Sequence, residues 1–256
     1  TFDGDDIHTI SINGFTITNG NSPTTDCDPC SGGGVYIEDG LNIDLSNLII
    51  TNNVGAQGGG SSGGGGGAYI KSSTGNLSNL IFSGNSAYAG GGLYAFLSEL
   101  ILDGCDFRDN NGVNNGGGIR FKNSDADIYN SAITNNHAHF NGAGIYFHDG
   151  EFNITNVTIA YNTTHTNTHV NGRGGAFEMN TANVTVSNSI IWDNYAISQV
   201  KFAGSNPSTL NINYSNFYGG QDQIVWLIEQ GGGYLTADGV LNWGDGMVDS
   251  DPLFVD

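Results

Sequence analysis

The sequence predicts an all-β protein, a right-handed parallel β-helix of seven to eight coils, with three short strands and about 26 residues in each coil. Two repeated signatures carry this prediction. An apolar residue, two variable residues and an asparagine recur along the chain, ending at Asn53, Asn85, Asn110, Asn136, Asn162 and Asn194. A glycine-rich run followed by alternating apolar residues recurs at matching spacings, beginning at Gly32, Gly65, Gly90, Gly116, Gly142 and Gly174. Glycine supplies 41 residues and proline only 4, which favours short turns over helices.

Each repeat holds three alternating stretches, so each repeat forms one coil and equivalent positions stack about 4.8 Å apart. The apolar positions predicted to face inward on the first and third strands are Val35, Ile37, Ala68, Ile70, Leu93, Ala95, Ile119, Phe121, Ile145, Phe147, Leu48, Ile50, Leu80, Phe82, Val157 and Ile159. The asparagine that ends each repeat is expected to turn inward and bond the backbone of a neighbouring coil, because buried polar groups need partners. These asparagines are therefore predicted to serve the fold.

The repeats are predicted to fill residues 1–218, with residues 219–256 forming a C-terminal cap of the same domain. Residues 224–229 form the only candidate helix, and residues 220–233 are expected to cover the last open coil. A solenoid end needs such cover because it is a sheet edge.

Charge and cysteine content narrow the functional classes. Acidic residues number 25 and basic residues 6, a formal net charge of −19, which disfavours nucleic acid and anionic lipid surfaces as partners. No apolar run is long enough to span a bilayer, so no membrane insertion is predicted.

Cys27 and Cys30 are close enough in sequence to close a small disulfide loop in an oxidising compartment. Cys105 replaces an apolar repeat residue and is predicted to be a buried, inert thiol.

The two signatures, Gly-Gly-x-apolar and Phe/Ile-x-x-Asn, resemble the repeats of polymorphic outer-membrane proteins and related secreted β-helix proteins of the pectate-lyase-like superfamily. Residues 12–20 and 249–256 are similar to the start and end of the repeat region in bacterial secreted proteins that carry a C-terminal anchoring or sorting domain. The resemblance implies an extracellular or cell-surface location. It includes adhesins, surface-layer components and polysaccharide-degrading enzymes, and so does not select one function.

One outward column of the first strands is the most informative predicted surface: Tyr36, Tyr69, Tyr94, Arg120, Tyr146 and Glu178. Stacked tyrosines form an amphipathic strip that binds sugar rings or another protein, or that simply stabilises neighbouring strands. A lyase hypothesis uses Arg120 and Lys122 to neutralise a uronate carboxylate, with His148 or Tyr146 removing the C5 proton. Polygalacturonase-like paired aspartates with Gly-His-Gly are not found in the sequence.

Two groups of residues are candidates for metal binding, although no cofactor is required by the predicted fold. His139, His165 and His169 would approach each other on adjacent coils as ligands for a transition metal. Asp245, Asp249 and Asp251, and separately Asp3, Asp5 and Asp6, are spaced as oxygen donors for Ca²⁺. Each aspartate group has the alternative role of capping turns.

Two functional hypotheses follow. The first is a non-enzymatic extracellular segment of a bacterial surface or secreted protein: an adhesin, stalk or filament subunit that self-associates through its coil ends or tyrosine column. The second is a carbohydrate-active β-helix, either a lyase of acidic polysaccharide or a glycan-binding module without catalysis.

Overall fold

The computed structural model describes residues 9–22, 32–57, 63–165, 174–196, 198–204, 207–226, 228–230, 233–235 and 239–253. The described residues contain strands, short turns and one 3₁₀ turn at Gly220–Gln223, and no α-helix. In chain order the strands are β1 (Thr9–Asn13), β2 (Thr16–Thr18), β3 (Val35–Ile37), β4 (Asn42–Ser46), β5 (Ile49–Thr51), β6 (Ala68–Lys71), β7 (Thr74–Ser78), β8 (Ile81–Ser83), β9 (Ser86–Ala87), β10 (Leu93–Phe96), β11 (Glu99–Asp103), β12 (Asp106–Arg108), β13 (Asn111–Gly112), β14 (Ile119–Lys122), β15 (Asp125–Tyr129), β16 (Ala132–Thr134), β17 (His137–Ala138), β18 (Ile145–Thr155), β19 (Thr158–Ala160), β20 (Thr163–Thr164), β21 (Phe177–Ser187), β22 (Ile190–Trp192), β23 (Val200–Ala203), β24 (Ser208–Asn213), β25 (Asn216–Phe217), β26 (Ile224–Trp226), β27 (Ile228–Gln230), β28 (Gly233–Leu235) and β29 (Gly239–Trp243).

These strands stack as a parallel β-helix. The third strands of successive coils form one eight-stranded sheet in the order β2-β5-β8-β12-β16-β19-β22-β25. The first strands (β3-β6-β10-β14) and second strands (β1-β4-β7-β11-β15) merge into one sheet, because β18 and β21 run through both positions without a break. A short four-stranded sheet, β9-β13-β17-β20, lines the turn after the third strand. The predicted all-β parallel architecture with three main strands per coil is confirmed.

The core follows from the alternation of apolar residues along each strand. Every residue predicted to face inward on the first and third strands is buried. Equivalent aromatic residues stack between coils, with Phe82 and Phe107 at 4.6 Å between ring centroids and 4° between ring planes. Such stacking adds about 0.5–1.5 kcal/mol to the stabilisation from burial of each ring pair. The alternation of buried and exposed residues specifies the register between coils.

A buried ladder of asparagines runs parallel to the core, as the sequence predicts. In each coil the amide nitrogen donates to a backbone carbonyl of the preceding coil; Asn136 Nδ2, for example, donates to Phe107 O at 2.8 Å. From Asn85 to Asn194, each Oδ1 accepts from the backbone N–H and the amide of the asparagine one coil earlier, at 2.8–3.1 Å. Asn53 Oδ1 accepts from Gly20 N at 2.8 Å. The ladder ends where Gln199 accepts from Asn194. The asparagines thus satisfy turn groups that the strand ladders do not reach.

The strand pairing continues past residue 218, where the sequence placed the end of the repeats. Strand β26 pairs in parallel with β23, β29 pairs with β24, and Val248 bridges Asn216. The helix predicted at 224–229 is wrong: Ile224 pairs with Val200 and continues its inward position, so the alternation of strand residues outweighs any helical preference. Within the described part of 219–256, only β27 and β28 form an antiparallel hairpin.

Cys105 is buried, as predicted, and burial raises the pKa of its thiol to about 12. A raised thiol pKa disfavours the reactive thiolate. Cys27 and Cys30 lie outside the described residues.

None of the helical segments within the described ranges is long and apolar enough to cross a bilayer.

Candidate ligand-binding face

The outward side chains of the first strands form two columns. The first column contains Tyr36, Tyr69, Tyr94, Arg120, Tyr146, Glu178 and Lys201, which pair in register from coil to coil. The second column contains Lys71, Phe96, Lys122, His148 and Asn180. The first column has the predicted order, and Lys201 extends it. We refer to the two columns together as the first-strand face.

The tyrosines of this face are more enclosed than an open strip. Tyr36 is 40% exposed, whereas Tyr69 and Tyr94 are each 2% exposed. The Tyr94 ring lies directly on the preceding glycine loop: a Cβ added to Gly64 would stand 2.1 Å from its Cδ1. Burial raises the pKa values of Tyr69 and Tyr94. These two rings therefore stabilise the coil stack and offer little surface to a ligand.

Among the residues that the structure describes, neither Arg120 nor Lys122 forms an ion pair with a carboxylate. The guanidinium of Arg120 lies between two rings, 4.9 Å from the Tyr94 centroid and 5.5 Å from that of Tyr146. Its Nε is buried and has no hydrogen-bond partner within the described part of the chain. Lys122 Nζ lies 5.5 Å from the Phe96 centroid. The other described basic residues all form ion pairs with carboxylates: Lys71, Arg108 and Lys201. Arg120 and Lys122 therefore differ from them in their surroundings.

His148 is the neighbour of Lys122 in the second column. Its Nδ1 lies 3.0 Å from Asp149 Oδ2, an ion-pair distance without the geometry of a hydrogen bond. Burial lowers the pKa of His148, and the positive charges of Arg120 and Lys122 lower it further against the opposing effect of Asp149. His148 is half-buried and favours the neutral form, which is the form a general base requires.

Tyr146 is less suited than His148 to accept a proton. It is 7% exposed, and burial raises its pKa to about 12. Its hydroxyl oxygen accepts a hydrogen bond from Asn180 Nδ2 at 3.4 Å. Of the two proton acceptors considered in the sequence, the geometry favours His148.

A polar cluster next to Tyr146 was missed by sequence reasoning. The Glu178 carboxylate is 3% exposed and lies 3.3 Å from Lys201 Nζ. Asn141 donates to Glu178 Oε2 at 3.1 Å when its amide nitrogen faces the carboxylate. Burial raises the pKa of Glu178 to about 7, although Lys201 acts to lower it. Only the column position of Glu178 was visible in the sequence, because Asn141 comes from a turn and Lys201 from a strand whose repeat is weak.

The structure brings the turn histidines together. His139 and His165 have ring centroids 5.3 Å apart and nearly parallel planes, as predicted. The His137 ring centroid lies 6.3 Å from that of His165. His169 is outside the described ranges, as are Asp3, Asp5 and Asp6. No three His, Cys, Asp or Glu side chains that the structure describes are arranged to share a metal ion.

The C-terminal aspartates bond nearby backbone. Asp249 accepts from Gly219 N at 3.1 Å, and Asp251 accepts from Leu253 N at 2.9 Å. Asp245 contributes its backbone carbonyl to Tyr214 N at 2.8 Å. These contacts fit the turn-capping alternative, and calcium binding at this group stays a prediction.

The stacked parallel strands and the buried ladder define a parallel β-helix repeat protein. A family model described as "Right handed beta helix region" matches residues 1–169 of the 256. The chain therefore belongs to the right-handed β-helix family. No match was found among curated proteins, and none among solved structures. The finer resemblance to pectate-lyase-like secreted proteins stays a prediction.

Proposed function

We propose that this chain is a non-enzymatic extracellular segment of a bacterial surface or secreted protein that serves as a rigid stalk or adhesin scaffold. The observation that supports this proposal is the uninterrupted asparagine ladder from Asn53 to Gln199. The coils from Asn53 to Asn194 repeat the same buried contacts, and this regularity is expected to make the stack resist bending. Seven steps of about 4.8 Å along the eight-stranded sheet give a rod about 34 Å long.

The charge and the resemblance of the repeats support the extracellular location. A net charge of −19 suits a soluble, exposed surface, and the repeats resemble those of secreted bacterial proteins. Association of like copies through terminal coils fits the same role, because unpaired strand edges add further strands readily.

The non-enzymatic part of the proposal is tested by incubation with pectate, alginate and chondroitin, with and without Ca²⁺. Unsaturated uronate absorbs in the ultraviolet, so its formation is followed directly. We expect no such product. Formation of product by the wild type and its loss in Lys122→Ala would contradict the proposal and establish a lyase.

A second candidate, recognition of an acidic glycan, is favoured by the unpaired charges of Arg120 and Lys122 beside a neutral His148. The two cations would hold a uronate carboxylate and lower the pKa of the adjacent C5–H. In a lyase reaction His148 would take the C5 proton, the C4–O4 bond would break as the C4–C5 double bond forms, and water would protonate the departing oxygen.

Binding without cleavage separates the glycan-binding module from the lyase. Alginate and pectate oligosaccharides are titrated into the wild type and into Arg120→Ala/Lys122→Ala, with Lys71→Ala as the matched control. Lys71 lies on the same face but is already paired with Glu38, so its removal is expected to change affinity little. Equal binding by the double variant and the wild type would remove this candidate.

A further inference from the structure

The third strands present an outer surface that carries no net charge. It consists of the outward side chains on either side of each inward-facing residue from β2 to β25, and we call it the third-strand face. Asp106 and Arg108 are the only charged residues on its eight strands, and they form an ion pair with each other. Most of its other side chains are Thr, Ile or Ala, such as Thr51, Ile81 and Ala132.

The outward surface of the second strands has the opposite character. On the described second strands it carries no basic residue and six carboxylates: Asp44, Glu99, Asp103, Asp125, Asp127 and Glu151. Copies of a chain with a net charge of −19 repel each other, and most strongly where such carboxylates face one another. A second copy therefore meets less repulsion at the third-strand face than at the second-strand surface.

No insertion interrupts either border of the third-strand face. Two residues separate the second strand from the third in each of the eight coils, from β1 and β2 to β24 and β25. One residue separates the third strand from the ladder asparagine in each coil from Asn53 to Asn194. The extra residues of longer coils come after that asparagine, as between Asn53 and Gly65. The constant borders allow the sheet of another molecule to approach closely.

The order of the two charges favours one arrangement of two copies. A face-to-face dimer has its two-fold axis between the two sheets, which pack about 10 Å apart. An axis parallel to the coil stack places each third strand opposite the same strand of the second copy, running the other way. Arg108 then faces Asp106 of the second copy. An axis along the strands would instead place Asp106 opposite Asp106, which is unfavourable.

We propose that two copies of this chain dimerise through the third-strand face, with their coil stacks side by side and pointing the same way. This contact leaves the first-strand face free and is separate from association through terminal coils. It would double the thickness of the rod without lengthening it.

The size of the third-strand face indicates a weak dimer. Its strands outline about 40 by 10 Å on each copy, and with the bordering turns two copies bury on the order of 1,000 Å². That area is near the lower limit for a specific interface. Because net charge opposes the contact, we expect dimerisation to strengthen when salt screens the repulsion.

The test is sedimentation velocity and small-angle X-ray scattering of the full chain, from about 1 μM to 1 mM protein. We expect a monomer to become a dimer as the concentration rises, more readily at about 0.5 M than at about 0.05 M NaCl. In scattering, the dimer should have twice the cross-section of the monomer and nearly the same length.

Ile49→Glu and Ile101→Glu form a matched pair of variants. Ile49 lies on the third-strand face and is 42% exposed, whereas Ile101 lies on the second-strand surface and is 43% exposed. Both substitutions add the same charge to the chain. Ile49→Glu should weaken dimerisation at least about 10-fold, because it places two carboxylates in the interface, and Ile101→Glu should change it little.

A charge exchange tests the proposed arrangement. Arg108→Asp should weaken dimerisation, because carboxylates then face each other across the interface. The double variant Asp106→Arg/Arg108→Asp restores opposite charges at both positions and should dimerise like the wild type. Thermal unfolding of each variant shows whether the monomer stays folded.

Four results would overturn the proposal. The wild type could stay monomeric at every concentration and salt level. Ile101→Glu could weaken dimerisation as much as Ile49→Glu does. The dimer could be twice as long as the monomer, which would assign association to the coil ends. Finally, a folded double variant that does not dimerise would exclude the side-by-side arrangement in which Arg108 faces Asp106.

Discussion

The interior asparagine ladder and the first-strand face are built from the same coils, but the residue type is repeated from coil to coil only in the ladder. In the ladder the same residue type recurs from Asn53 to Asn194, and its amide groups are bonded within the stack. On the first-strand face the residue changes from Tyr to Arg to Glu along one column, and the Nε of Arg120 has no hydrogen-bond partner among the described residues. Repetition therefore marks the positions that hold the fold, and departures from it mark the positions available for binding.

The largest expected effect comes from breaking the ladder at its middle. Asn136→Ala removes the acceptor of the Asn110 N–H and amide and the donor to Phe107 O. Several buried polar groups then lose their partners at about 1–3 kcal/mol each, so we expect a loss of about 3–5 kcal/mol. The measurement is urea unfolding.

Asn153→Ala is the control for this prediction, because Asn153 makes an exposed hydrogen bond to Asp127. We expect it to cost less than about 1 kcal/mol. Equal effects of the two substitutions would show that the ladder does not differ energetically from the outer surface.

A smaller effect, dependent on pH, is expected at Glu178 on the first-strand face. Its pKa is about 7 in the folded state and lies near 4.5 when exposed, so the unfolded state releases the proton first. The stabilisation that this group contributes is complete below pH 4.5 and is lost as pH rises through 7. Over that window we expect the wild type to lose on the order of 1–3 kcal/mol relative to Glu178→Gln.

The comparison with Glu178→Gln is needed because His137 and His148, whose pKa values burial lowers, change stability in the opposite direction. Their effect is present in both proteins and cancels. If the free energy of unfolding changes with pH in the same way for wild type and variant between pH 4.5 and 7.5, the pKa of Glu178 is not raised in the folded state, which would contradict this prediction.

The smallest effect is expected at Cys105, an interior position where the repeat already varies. Its Sγ bonds Leu77 O and Asp103 O, and the equivalent Ser131 Oγ bonds Tyr129 O in the same way. Cys105→Ser is expected to change stability by less than about 1 kcal/mol in thermal unfolding, because it substitutes the residue of a neighbouring coil. A loss of several kcal/mol would mean that the coils are not interchangeable at this turn.

The interior was predictable from sequence because the period of the repeat imposes it. The inward residues, the ladder asparagines and the order of the first outward column all follow from aligning the glycine runs. The exposure of Tyr69 and Tyr94 was not predictable, since it depends on how closely the glycine loop approaches each ring. The Glu178, Lys201 and Asn141 cluster was missed because its members come from three successive coils: Asn141 lies in the turn before β18, Glu178 on β21 and Lys201 on β23. The strand pairing beyond residue 218 was not predicted, because β26 and β29 lack both signatures.

The central claim, that the asparagine ladder makes the coils one rigid stack, is tested most directly by native hydrogen exchange followed by NMR. The backbone N–H groups of Asn85, Asn110, Asn136 and Asn162 each donate to the Oδ1 of the next asparagine. We predict that these four amides exchange among the slowest in the protein, at similar rates, and that Asn136→Ala accelerates exchange in the coils on both sides. Exchange of these amides as fast as that of exposed turns, or acceleration confined to one coil, would contradict the claim.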